Sequence, residues 1–404
     1  MGNNGMMIHE EAVAAFAAYL DALIAVDDFS GVVLIARDGV PIFTRVHGLA
    51  SVAYQAPILL DTKMNLGSMN KMFTAVAIVQ LAEQGKLAFE DHIGAFLPHY
   101  PRAVADTVTV HHLLTHTAGL GDFLDDRFEG ARARLRTVSD YLSLFIDDPL
   151  AFAPGQRWQY SNAGYGVLGA IIEAATDQSY FDYVREHIFQ PAGMDNTDAY
   201  ELDRDTPNLA MGYTRGDVAR TLRERNRMWR TDQTSAFSPG PRRNNIFMLP
   251  VKGGPFGGGY STVEDLLRFD RALRSHVLLR PSSTEILLAG KVDLPGEPEG
   301  RYAYGFRDER INGQRLVGHN GGFWGVNGQL DMYLDSGYTV AVLANYDPLV
   351  AHLIASKLRE LLTQTALPCC AVPDLERCAG DDPGNTTRVP RSSPPTGPPP
   401  GGTA

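Results

Sequence analysis

The chain has 404 residues, 44% of them hydrophobic and 21% charged, with a formal net charge of -11, the profile of an ordinary globular protein with one large domain or two medium ones. The acidic balance argues against a nucleic-acid partner, because arginine-rich pieces such as 220–225 are interleaved with acids and form no compact basic patch. Cys369, Cys370 and Cys378 lie too near the C-terminus to staple a core, no apolar run reaches membrane-spanning length, and Met1–Met7 lacks the basic and apolar parts of a signal peptide, so the expectation is a cytoplasmic protein with no membrane partner.

In chain order, His9–Val26 carries apolar residues at helical spacing. Ser30–Ala36 is a β-branched run, Arg37-Asp38-Gly39 a turn, and Pro41–Val46 the returning strand. A buried helix is expected from Ser68 to about Glu83, stopped by Gly85. Asp91–Pro98 reads as a short helix or loop. Val108–Leu120 reads as a helix ending at Gly119; His112 and His116 are four apart on it, but no third ligand is placed for a metal, so a locally bonded His116 is expected. Phe152–Gly155 is a turn, after which Tyr160-Ser161-Asn162 opens a helix that runs to Ala175, with Ser161 or Asn162 as its cap.

Asp198–Pro250 has many charges and no clear period, and is read as a substrate-side excursion or lid. The glycine-dense stretch Gly253–Thr262 lacks the ending of a phosphate loop and suits close passage of backbone beside a site. Thr262–Asp265 has the form of a capping box for the helix Leu266–Leu273. Strands follow at Tyr302–Phe306, Arg315–Gly318, Val326–Leu334 and Tyr338–Ala344, with Asp335-Ser336-Gly337 turning between the last two, and a helix over Val350–Leu362 closes the fold. Beyond residue 366 the chain is rich in Pro and Gly, and 367–404 is expected to be a disordered tail on a domain of residues 8–366.

Chemistry is concentrated in Ser68-x-x-Lys71. Residues three apart on a helix share one face. A serine becomes a nucleophile when a base takes its proton, and a lysine becomes that base when burial lowers its pKa. Alone, the pair reads more simply as a helix N-cap beside a solvated lysine. Two further pieces, Tyr160-Ser161-Asn162 and His319-Asn320-Gly321-Gly322, add a second proton carrier and a glycine-flanked strand end. Together these are the needs of acyl transfer.

With these residues the sequence resembles the serine β-lactamase and penicillin-binding-protein superfamily. It is most similar to the branch that holds class C β-lactamases, D-alanyl-D-alanine carboxypeptidases, esterases and transacylases. Leu114–Leu120, Pro154-Gly155 with Tyr160–Asn162, Ile188–Met194 and Gly258–Leu266 also look like family stretches, so the resemblance covers roughly residues 10 to 365. It implies a mixed α/β (α+β) fold: an antiparallel sheet flanked by helices, plus a largely helical subdomain, with the site between them. It further implies Ser68 as the acylated nucleophile, Lys71 as its proton acceptor and Tyr160 as the second acid/base. Asn162 would orient substrate or Lys71. The backbone N–H groups of Ser68 and Gly322 would form the oxyanion hole, with Asn320 and Gly321 beside the substrate. His319 stands where β-lactamases usually carry lysine, a departure that weakens the case for a true β-lactamase.

The resulting expectation is a serine hydrolase without cofactor or metal that acts on a small-molecule ester or amide, most simply an esterase of small or medium acyl groups. Acyl transfer, β-lactam or D-amino-acid peptide cleavage at the same site, and a non-catalytic ligand-binding or sensor role are the alternatives. His319, with the ordinary histidine pKa, would be charged on the acid side of neutrality and would then favour carboxylate-bearing substrates.

Overall fold

The first β-branched run sets the scaffold. Gly31–Arg37 (β1) is buried along six of its seven residues, as a strand covered on both faces must be. A tight turn returns the chain as β2, Val40–His47. The computed structural model describes residues 2–215 and 241–363. The expected tail 367–404 and the middle of the Asp198–Pro250 excursion lie outside the described residues.

After α1 (Gly2–Ala25) and this hairpin come the helices α2 (Asn70–Glu83), α3 (Val110–Leu114), α4 (Asn162–Thr176), α5 (Val263–Arg274) and α6 (Pro281–Leu288). The chain then builds the rest of the sheet: β3 (Val292–Asp293), β4 (Gly300–Tyr302), β5 (Arg307–Ile311), β6 (Gln314–Phe323), β7 (Val326–Tyr333) and β8 (Tyr338–Ala344). Helix α7 (Val350–Thr363) follows. The eight strands form one antiparallel sheet in the order β2-β1-β8-β7-β6-β5-β4-β3. No described helix is long and apolar enough to cross a membrane.

Side chains alternate across this sheet. Val33, Ile35, Val340 and Val342 pack with Phe16 and Leu20 of α1 and Ile354 and Leu358 of α7. Val32, Leu34, Ala341 and Leu343 face the other way, into a larger core shared with α2, α4 and α5. Helix α2 runs through that core: every residue from Asn70 to Leu81 is buried, so it shows no polar face.

Three expectations need correction. Tyr302–Phe306 is not one strand: β4 ends at Tyr302, and the chain turns through Ala303–Phe306, closed by Ala303 N–H donating to the Phe306 carbonyl at 2.8 Å. The strand expected at Arg315–Gly318 continues as β6 to Phe323, so His319–Gly322 lies within the strand rather than next to it. The box at Thr262 is half made: its side chain caps Asp265 N–H, but the Asp265 carboxylate instead serves Asn196 N–H, Thr197 and Arg268.

Candidate active site

The site is assembled where β6 runs past the turn that starts α2. Ser68 lies in a 3-10 turn, Gly67–Met69, and the α-helix proper starts at Asn70. Ser68 and Lys71 therefore straddle the junction of the two, and do not both sit on the first helical turn as the spacing suggests. Gly67 has φ +51, a left-handed conformation costly to any residue with a Cβ, and a Cβ there would lie 2.8 Å from the Gly322 amide nitrogen. Gly321 is as tightly held: a Cβ on it would meet the Leu66 carbonyl oxygen at 1.9 Å. This close passage sets Ser68 and Gly322 side by side, and both line one pocket.

Lys71 is wholly buried. Its Nζ donates to the Asn162 side-chain oxygen at 2.7 Å and to the Phe256 carbonyl at 2.5 Å, and it stands over the rings of Tyr160 and Tyr165. Burial holds its pKa well below the ordinary lysine value, an effect the Asp122 carboxylate partly opposes. A neutral amine has two N–H donors and one lone pair. In the free-amine form, toward which burial shifts Lys71, the bonds to Asn162 and the Phe256 carbonyl take both donors and leave the lone pair.

Ser161 explains how Asn162 is free to do this. The helix α4 cap is Ser161, whose hydroxyl accepts from Gly164 N–H at 3.1 Å and donates to the Gly121 carbonyl at 2.7 Å. Asn162, the first helical residue, has its side chain available for Lys71 on one side and for Asp122 on the other, at 3.2 Å. Tyr160 precedes the cap, half-buried, with its hydroxyl hydrogen-bonded to Ser68. Burial raises the phenol well above its usual range, and Tyr302 nearby adds to this while the Ser68 bond opposes it. Tyr160 is thus a protonated phenol at neutral pH.

The pocket is walled by Ser68, Tyr160, Asn162 and Gly322 together with Asp122, Leu124, Phe128, Leu249, Pro250, Phe256 and Trp324. The structure brings those first four together. Asn320 and Gly321 stand behind Gly322, and His319 does not line the pocket. His319 is buried, with Nδ1 2.6 Å from the Asn320 carbonyl and Nε2 3.0 Å from the Tyr302 hydroxyl. Burial, with Lys71 adding to it, lowers its pKa to about 3. The expectation that His319 becomes charged just below neutrality is therefore corrected, since a buried imidazole cannot be hydrated as a cation.

Two other readings change. Helix α3 ends at Leu114, not Gly119, so His112 and His116 are not stacked on one helix. His112 closes the cap of α3 with Thr109, whereas His116 has a left-handed backbone, φ +59, and its partners are distant in sequence: Ser161 and Tyr302. Asp122 and the Phe256 carbonyl, both tied into the Lys71 environment, carry no motif of their own. The only sequence signal for Asp122 is its place just after the family stretch Leu114–Leu120.

A family model described as Beta-lactamase matches residues 16–364. The chain is 30% identical over 323 residues to Penicillin-binding protein 4* of Bacillus subtilis, covering 78% of this chain and 68% of that one. It is 36% identical over 200 residues to Esterase EstB of Burkholderia gladioli, which covers 45% of this chain and 51% of EstB, about half its length. Among solved structures, a penicillin binding protein from Bacillus halodurans superposes with a TM-score of 0.73 at 30% identity, over 85% of this chain and 99% of that one.

Proposed function

This chain belongs to the Beta-lactamase family, and we propose that within it the chain is a serine hydrolase that cleaves small or medium neutral esters through an acyl-enzyme on Ser68. The observation that carries this reading is the hydrogen-bond state of Lys71. With its two N–H groups given to Asn162 and the Phe256 carbonyl, a neutral Lys71 keeps its lone pair for the Ser68 hydroxyl proton. Ser68 Oγ then attacks the carbonyl carbon, and the Ser68 proton passes to Lys71. The Ser68 and Gly322 amides stabilise the oxyanion. Tyr160, a phenol held in its protonated form, donates to the departing alkoxide. Water then attacks the acyl-enzyme, with the same groups working in reverse.

Neutral esters are favoured over β-lactams by the charge of the walls. Among the described residues lining the pocket none is Lys, Arg or His, and of its two acids Glu129 is paired with Arg132, so a substrate carboxylate meets the charge of Asp122 and no cation in the walls. The apolar walls at Leu124, Phe128, Leu249 and Trp324 suit an acyl chain. A panel of p-nitrophenyl esters, a chromogenic cephalosporin and a D-amino-acid amide tests this. The esters should lead the cephalosporin by about 100-fold in kcat/KM, since like-charge placement costs several kcal/mol. A cephalosporin or amide preferred over every ester would overturn the substrate class.

A further inference from the structure

His116 is unusual on three counts. It is a buried non-glycine residue with left-handed backbone, φ +59, a costly conformation that persists only where surroundings enforce it. Its own carbonyl accepts from Gln159 N–H at 2.9 Å, and its ring Nδ1 accepts from Ser161 N–H at 3.2 Å. These are the N–H groups of the two residues on either side of Tyr160. Its ring also lies against the Tyr160 ring, with centroids 4.4 Å apart.

The tautomers along this contact are fixed by chemistry. Because Nδ1 of His116 accepts, its proton is on Nε2, which donates to the Tyr302 hydroxyl at 3.1 Å. The Asn320 carbonyl only accepts, so His319 carries its proton on Nδ1 and its Nε2 accepts from Tyr302 at 3.0 Å. A chain of hydrogen bonds thus runs from the backbone beside Tyr160, through His116, Tyr302 and His319, into strand β6 three residues before Gly322, with Tyr165 as a further partner of the Tyr302 hydroxyl. Burial keeps both imidazoles neutral, which preserves those tautomers.

We propose that His116 is the positioning residue for Tyr160, clamping the backbone on both sides of it and its ring, and that Tyr302 and His319 lock the His116 tautomer and tie the Tyr160 segment to the Gly322 strand. The proposal rests on the reading of Tyr160 as the acid that protonates the leaving group. His116 itself touches no reacting atom.

A misplaced acid has a signature that mere loss of folded protein lacks. A p-nitrophenolate leaves without protonation, whereas an alkoxide needs the proton. The experiment compares kcat for p-nitrophenyl butyrate and ethyl butyrate in wild type, Tyr160→Phe, His116→Phe, His116→Asn and Tyr302→Phe. Rates are normalised to the fraction of Ser68 labelled by a fluorophosphonate. His116→Phe keeps a ring but loses both nitrogens; His116→Asn keeps an acceptor near Nδ1 and tolerates the left-handed backbone; Tyr302→Phe removes one oxygen only. Expected is a loss of about 100-fold on the ethyl ester, the cost of a misplacement near 1 Å, with only a few-fold loss on the nitrophenyl ester. This pattern should be shared by Tyr160→Phe and His116→Phe, partly restored in His116→Asn, and present more weakly in Tyr302→Phe. If Tyr160→Phe changes the ratio of the two rates while His116→Phe and Tyr302→Phe leave it at the wild-type value, the positioning role is overturned and the acid reading survives. If Tyr160→Phe itself leaves the ratio unchanged, the acid reading falls and takes this proposal with it.

Discussion

Asp122→Asn isolates the electrostatics of the proposed base. Among the described residues, Asp122 is the negative group that counteracts burial at Lys71, and Asn162 stands between them with hydrogen bonds of 2.7 and 3.2 Å on its two sides. The separation through that amide is about 8 Å at most, where two unit charges at an effective dielectric of about 20 interact by about 2 kcal/mol, or about 1.5 pKa units. Asp122 is only half-buried and faces the pocket, so water reduces this to about one pH unit. The sign follows from the role. The carboxylate favours the ammonium form, and the working base is the free amine. Removing the charge lowers the Lys71 pKa further, and the acid limb of kcat/KM against pH moves down by about one unit. The introduced amide oxygen can still accept from Asn162, so the geometry is kept. The assay is kcat/KM from pH 4.5 to 9 with an uncharged ester, which removes any direct effect of Asp122 on substrate charge. Burial lowers both His116 and His319, the latter to about 3, so His319 contributes no competing limb in this range. An acid limb that stays in place or moves up refutes the assignment of that limb to Lys71.

Three further outcomes are expected. On ethyl butyrate, Lys71→Ala should lose about a thousandfold or more in kcat and Tyr160→Phe about 100-fold, and the double variant should be little worse than Lys71→Ala alone, because groups that move one proton act as a unit; fully multiplicative losses in steady-state kinetics would show that they act apart. Gly321→Ala should cost about 1–3 kcal/mol of stability by overpacking against the Leu66 carbonyl, seen as a lower Tm, and should depress kcat because the Ser68 turn is displaced; a wild-type Tm would deny the close approach. The ratio of kcat/KM between a carboxylate-bearing ester and its neutral analogue should show no histidine-like step between pH 5.5 and 8, since His319 titrates at about 3; a step centred near the ordinary histidine value would mean that His319 is solvated and faces the substrate.

Much of the scaffold was legible because it rests on short-range pattern. The run at Gly31–Arg37, the hairpin through β2, and the pair β7–β8 follow from β-branched residues and turn chemistry. Helix α2 was legible from its unbroken apolar sequence. The splitting of Tyr302–Phe306 was not, because a local turn and an extended strand are equally compatible with those residues. The run of β6 through His319–Gly322 was hidden for a different reason. Its glycines read as a strand break, yet close approach of the Leu66–Ser68 turn is what requires Gly321. In the site, Ser68, Lys71, Tyr160 and Asn162 belong to motifs, and the structure brings them together. Asp122, the Phe256 carbonyl and Tyr302 reach Lys71 or Tyr160 only through tertiary packing, which leaves no spacing to read. His116 was visible in its stretch, but its left-handed backbone and its hold on both sides of Tyr160 are properties of the fold.

Mass spectrometry of the intact protein and its peptides, after rapid mixing with p-nitrophenyl acetate and acid quench, tests the central claim most directly. The account predicts one acetyl group per chain on the peptide containing Ser68, formed within the first turnover and absent from Ser68→Ala, which should keep the wild-type Tm. An acetyl group on another residue, or full turnover by Ser68→Ala, would contradict it.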